Sequence, residues 1–316
     1  MSTTIVTSTR HAARPRRRPL WDEEPTPAGK ALKGLALMVI VLAISVPLYT
    51  VLLTSLSPQE AITRAGGLVL VPDGISFAAY QEILSGGVVT RSVLVSTGVT
   101  LGGTLFSLSV TVLAAYGLSR PNSFAHRPLL LIILLTFLFG PGLIPTYLLV
   151  QSLHLIDQYA ALILPGAISA FNLVVLRAFF MNGIPRELID SAVIDGAGEL
   201  SILVRIVLPL SKAVTAVIAL FYGVGYWNAF FSAFLYLNSN NKWPLQLVLR
   251  AYVLQGQPIP GVTAAAQSTR DSVTGVVPTL SVKMAIITLA VLPVLFVYPF
   301  VQRHFIKGVI VGAVKG

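Results

Sequence analysis

The chain has 316 residues, of which 55% are hydrophobic and only 11% charged. A soluble domain carries about 25% charged residues, so this composition cannot coat a water-facing surface and indicates a polytopic membrane protein. The net charge of +10 flanks apolar runs and forms no groove-reading face; this speaks against a nucleic-acid partner and fits positive charge held at the inner face of a membrane.

Residues 1–29 read as a disordered basic tail. It carries Arg10, Arg14, Arg16, Arg17 and Arg18, and Pro15, Pro19, Pro25 and Pro27 oppose a helix. Apolar windows without Asp, Glu, Lys, Arg or His follow at 34–56, 92–119, 128–150, 158–176, 213–237 and 284–302. Each is close to the roughly 20 residues that a spanning helix needs. Pro47 marks an expected kink in the first, and Gly98, Gly102 and Gly103 mark a small-residue packing face in the second. Basic residues cluster in the tail, at Arg120 and Arg127, at Arg186, Arg205 and Lys212, and at Arg303, Lys307 and Lys315. If six helices span, these segments share one side, which the positive-inside rule makes cytoplasmic. The expected fold is therefore all-α: a tail and one multi-pass membrane domain over 30–316, with both termini inside the cell.

Between the fourth and fifth windows lies the stretch 185–209, PRELIDSAVIDGAGELSILVRIVLP. Its first half has helical period, with Leu188, Ile189, Ala192 and Val193 on one arc and Glu187, Asp190, Ser191 and Ile194 on the other. Pro185 suits a first helical turn, and Gly196 and Gly198 then weaken the helix, so a bent pair of short helices is expected. An amphipathic helix resting on the membrane would carry Lys and Arg on its polar arc. This one presents Glu187, Asp190, Asp195 and Glu199, which suits a protein partner better.

The run Asp190-Ser191-Ala192, then Asp195-Gly196-Ala197, then Leu208-Pro209, resembles the EAA loop of ATP-binding-cassette importer permeases. Asp190 stands where that family usually has Glu, and Ser191 where it usually has Ala. The resemblance implies a type I importer (MetI-like) arrangement of six helices, with Glu187, Asp190, Ser191, Ala192, Asp195, Gly196 and Ala197 coupling to an ATPase. Two further segments resemble sugar permeases: Ser76-Phe77-Ala78-Ala79-Tyr80, and the tail from Gln302-Arg303-His304-Phe305 to Gly316. These resemblances together imply a carbohydrate importer of the plasma membrane. Its expected partners are a second related permease, an ATPase dimer, an extracytoplasmic sugar-binding lipoprotein and a sugar or oligosaccharide.

The residues agree with a chain that holds no enzyme site of its own. With no Cys there is no disulfide, thiol nucleophile or Cys-based metal site. There is no G-x-x-x-x-G-K-[ST] phosphate loop, so ATP would be bound by a partner, and no HExxH or nucleophile elbow. His11, His126, His154 and His304 are scattered and read as interfacial. No catalytic, cofactor or metal site is expected. Charge-free windows also lack the groups that ion-coupled carriers use, so energy must arrive from outside. The polar handles within or near the windows are Asn172, Tyr226, Trp227, Asn228 and Tyr147. Amides, hydroxyls and aromatic faces suit a neutral polyol, although helix–helix hydrogen bonding explains each of them as well. The rival reading is a carrier or channel that works alone on a small neutral solute.

Overall fold

The structure, a computed structural model, describes residues 26–85, 87–120, 125–255 and 279–313. Of the basic tail expected to be disordered over 1–29, residues 1–25 lie outside the described residues, as do 314–316 of the C-terminal signature, whereas 27–29 open a helix, against the expectation from Pro27; proline is tolerated there because the first N–H of a helix has no partner. Every regular element among the described residues is helical. Two compact units are present, Met1–Tyr49 and Thr50–Gly316.

The helix α1 (Pro27–Ser55) starts in the first unit and includes Pro47. Leu35, Met38, Ile40 and Ile44 are all exposed. A helix pairs its backbone groups internally, so lipid can solvate such a surface on every side.

In the second unit, α2 (Gln59–Arg64) and α3 (Ala78–Leu84) occupy the first connection. Tyr80 shares a 2.8 Å hydrogen bond with Ser55. The unbroken α4 (Val88–Ser119) follows. The window at 128–150 is not one straight rod: α5 (His126–Leu138) and α6 (Leu143–Ser152) meet at 117°. Between them Pro141 lacks the N–H a helix needs, and Gly142 takes φ 81°, a left-handed value that suits glycine. The fourth window likewise divides into α7 (Ala160–Ile163), a 3₁₀ turn (Leu164–Gly166) and α8 (Ala170–Asn182), bent by 54°. Ser169 caps α8 by accepting from the Asn172 N–H at 3.4 Å.

The stretch 185–209 holds α9 (Arg186–Ile194) and α10 (Glu199–Ile202), which widens to π-helix over Leu203–Val207 and ends as α11 (Leu208–Leu210). An 88° corner at Ser211 leads into α12 (Lys212–Trp227). Then come α13 (Phe230–Tyr236), α14 (Leu245–Leu249) with a π-helical extension (Arg250–Leu254), and α15 (Thr279–Ala313). Among the described residues, three helices are long and apolar enough to cross a membrane, and up to six if each bent pair is one span.

The packing centres on α4, which runs against both α12 and α8, and α15 also packs on α12. Hydroxyl pairs join α4 to α12: Thr111 with Tyr222 and Ser107 with Tyr226, each at 2.7 Å. A hydroxyl buried without a partner costs about 1–3 kcal/mol, so these pairs fix which faces meet. The expected three-glycine packing face reduces to Gly103. A Cβ there would lie 2.9 Å from the Tyr226 ring, whereas Gly98 and Gly102 have nothing within 4 Å. The Trp227 indole donates to the Ala290 carbonyl at 2.8 Å and ties α12 to α15.

Candidate functional site

The DGA run makes the sharpest turn of the 185–209 stretch. Asp195 closes α9, and Gly196 takes φ 80°. The Ala197 N–H donates to the Ala192 carbonyl at 2.9 Å, and the Gly196 N–H to the Val193 carbonyl at 3.0 Å. These two bonds define a Schellman motif with Gly196 at its left-handed position, and Ala197 and Ala192 pack on the same core cluster. Gly198 is different: its φ of −71° is open to any residue. Pro185 is the residue before α9, with extended ψ of 132°, not a member of its first turn.

The predicted apolar arc of α9 is only half engaged. Ile189 and Ala192 lean on the core, but Leu188 and Val193 are exposed, and Ile194, on the polar arc, is 85% exposed. Leu200 and Val204 extend this bare apolar surface beyond the turn. The carboxylates of Glu187, Asp190 and Asp195 have no hydrogen-bond or ion-pair partner among the described residues, and the Ser191 hydroxyl donates only to the Leu188 carbonyl, at 3.1 Å. An exposed patch that mixes large apolar groups with unpaired acids has the composition of a docking surface.

The second limb is anchored instead of exposed. Ile202, Leu203 and Val207 are buried against Val112, Ala115 and Leu176. Pro209 cannot donate to the carbonyl one turn earlier, and the π-helical stretch precedes it. At the head of this limb, the Glu199 carboxylate accepts from the Tyr116 hydroxyl and from Arg120, the latter at 2.7 Å. Arg120 also donates to the Tyr116 hydroxyl at 2.7 Å and stacks 4.9 Å above its ring. The Tyr116 hydroxyl, then the Arg120 guanidinium, lower the Glu199 carboxyl from its ordinary value. Arg177 donates to the Leu118 carbonyl at 2.8 Å, satisfying an end of α4. A cavity of about 610 Å³ opens between the loop and the tips of α4 and α8; Arg186, Ile189, Asp190 and Glu199 line it from the loop, and Tyr116, Phe180 and Ile184 from the helices.

A second cavity, of about 740 Å³, lies between α8, α12 and α13. Phe171, Phe221, Phe231 and Tyr236 give it aromatic walls, and among the described residues no charged one lines it. Of the predicted path residues, Asn172 and Tyr226 are on this wall. Tyr226 spends its hydroxyl on Ser107 and the Ile163 carbonyl. Asn172 is only 5% exposed, and its side-chain amide has no hydrogen-bond partner among the described residues. The other three predicted residues are not brought to the wall. Trp227 is core, Asn228 donates its amide to the Val224 carbonyl at 2.9 Å, and Tyr147 stacks on Tyr236 at 6.1 Å. At the far end of the unit, Asp157 joins two connections: it accepts from the N–H groups of Asn238 and Ser239, from the Ser239 hydroxyl and from Lys242. Among the described residues no group of acids and histidines could hold a metal.

No family model matches the chain. The chain is 42% identical over 90% of its length to the polygalacturonan/rhamnogalacturonan transport system permease protein YtcP of Bacillus subtilis, covering 96% of that protein. It is 44% identical to protein LplC of the same organism, over 81% of this chain and 85% of that one. It also matches a chain in the crystal structure of a bacterial ABC transporter involved in the import of the acidic polysaccharide alginate. That match has a TM-score of 0.79 at 29% identity and covers 87% of this chain and 96% of the other.

Proposed function

The chain belongs to the permease subunits of sugar-importing ABC transport systems, and from that premise we propose that the 185–209 loop is the element through which a separate ATPase drives it. One observation carries this reading. The loop presents bare Leu188, Val193 and Ile194 beside unpaired Glu187, Asp190 and Asp195, on a turn held in shape by Gly196. Covering a fully exposed Ile side chain contributes about 1.5–3 kcal/mol, whereas an exposed ion pair at Asp190 adds only about 0–1 kcal/mol. Shape fit, not charge, then dominates the docking.

The partners are those of this class of system: an ATPase dimer that binds the ATP, a second permease and an extracytoplasmic binding protein. The chain itself holds no cofactor and performs no hydrolysis. The arrangement of basic residues supports a plasma-membrane location with both termini and the loop inside the cell. Family membership replaces the alternative of a carrier working alone. The substrate is a sugar or oligosaccharide, and the aromatic cavity with the Asn172 amide is this subunit's share of its path. Flat faces there meet C–H surfaces, and the amide offers both a donor and an acceptor to hydroxyls.

The test is transport by the purified complex in liposomes, supplied with oligosaccharides prepared from polygalacturonan, rhamnogalacturonan and alginate. Replacing Gly196 by Trp is expected to leave insertion intact and to abolish ATP-driven uptake. Unchanged uptake would remove the loop from the coupling role.

A further inference from the structure

The coupling loop has two limbs that the structure treats differently, and the difference lies in residues outside the family motif. The first limb, α9, buries none of its residues fully and touches the core only through Ile189 and Ala192, beside the 610 Å³ cavity. The second limb sinks Ile202, Leu203 and Val207 into the core, and its first residue, Glu199, reaches across to α4. Three polar groups meet there in a closed triangle. Tyr116 donates to Glu199, and Arg120 donates to both. The Tyr116 hydroxyl also lies 3.3 Å from the Glu199 main-chain carbonyl, so the contact holds backbone as well as side chain. Tyr116 is buried, and the guanidinium lies over its ring, which fixes the orientation of both donors.

An exposed ion pair alone would contribute little. Here the acid is exposed, but its two donors sit at the end of α4: Tyr116 is buried in the last turn, and Arg120, the residue that caps it, has a side chain only 21% exposed. From that anchored end, α4 runs to Thr111 and Ser107, whose hydroxyls bond Tyr222 and Tyr226 of α12. Those two tyrosines line the 740 Å³ cavity. The loop thus touches the cavity by two routes: along the chain, around the Ser211 corner into α12, and laterally through Glu199 into α4.

We propose that Tyr116, Arg120 and Glu199 form a rigid joint that fixes the second limb of the coupling loop to the end of α4, so that the loop moves α4 and α12 as one body. These are positioning residues, whose hydrogen bonds go to one another. The proposal rests on the coupling reading of the loop, and its test separates the two.

The chain has no cysteine, so spin labels enter only at chosen sites. Leu113 and Arg205, both exposed and outside the bare apolar patch, take one label each through Leu113→Cys and Arg205→Cys, in the complex assembled with cysteine-free partners. The distance between the labels is measured without nucleotide and after trapping with ATP and vanadate. The joint requires the same distance in both states. Glu199→Gln should make the distance shift on trapping, and the swap Arg120→Glu with Glu199→Arg should cancel that shift. If Glu199→Gln does not assemble, Tyr116→Phe, which removes one hydroxyl, should give the same shift. A shift in the unmodified pair, or none in either variant, overturns the joint. Co-purification of the ATPase is recorded alongside. If the ATPase is retained, a failed distance test removes the joint and leaves the coupling reading standing. If the unmodified complex lacks it, both fall together.

Discussion

At the scale of single residues, glycines that look alike in sequence have different duties. Gly196 holds a left-handed turn, whereas Gly198 does not. Gly196→Ala should therefore cost about 1–2 kcal/mol of local strain, because the space for a Cβ is open but the conformation is not. Gly198→Ala should be close to neutral. Comparing ATPase retention by the two variants checks this, and equal losses would refute the Schellman assignment. Gly103 differs again. Its conformation is ordinary helix, but a Cβ would meet the Tyr226 ring at 2.9 Å. Gly103→Ala should destabilise the purified protein by about 1–3 kcal/mol, read as a lowered unfolding temperature, since the ring must move and strain its bond to Ser107. Asn172→Ala should lower uptake while leaving that temperature unchanged, because the amide has no partner in the protein to lose.

At the scale of elements, the two ends of the second unit are fastened by different means. One end uses the Glu199 triangle. The other uses Asp157, which links the connection after α6 to the connection after α13. The hydrogen bond from Lys242, followed by those from Ser239, holds the Asp157 carboxyl well below the usual carboxylate range. A depressed folded-state value stabilises above the unfolded value of about 3.9 and is lost only as pH falls through the lower folded value. Amide protection factors over residues 237–243 should therefore be constant from about pH 7 to about pH 5. Asp157→Asn should reduce them throughout that range. A wild-type change across it would show that another group controls this lock.

At the scale of the whole molecule, the proposed docking of an ATPase needs a surface of its own, and on the 185–209 loop exposed apolar groups sit beside acids. Val193→Asp combined with Ile194→Asp replaces exposed apolar groups, so folding should be unaffected. Loss of their burial against the ATPase should exceed the roughly 1.4 kcal/mol that corresponds to a tenfold weaker association. Co-purification of the ATPase measures this directly, and full retention would place the docking surface elsewhere.

Composition and the spacing of charge-free windows were enough to decide a helical membrane protein, because burying a backbone in lipid leaves few other options. The spacing from Asp190 through Gly196 to Pro209 marked where the 185–209 stretch bends, since a left-handed turn and a missing N–H leave marks on local sequence. The path residues were only partly legible: Asn172 and Tyr226 reach the cavity wall, while Trp227, of the same polar–aromatic type, turned out to anchor α15. Nothing local separates these roles, because each depends on which helix lies opposite. The Glu199 joint was invisible for the same reason. Glu199 lies 79 residues from Arg120 and 83 from Tyr116, and only the packing of α10 against the end of α4 brings a carboxylate, a hydroxyl and a guanidinium within hydrogen-bond reach.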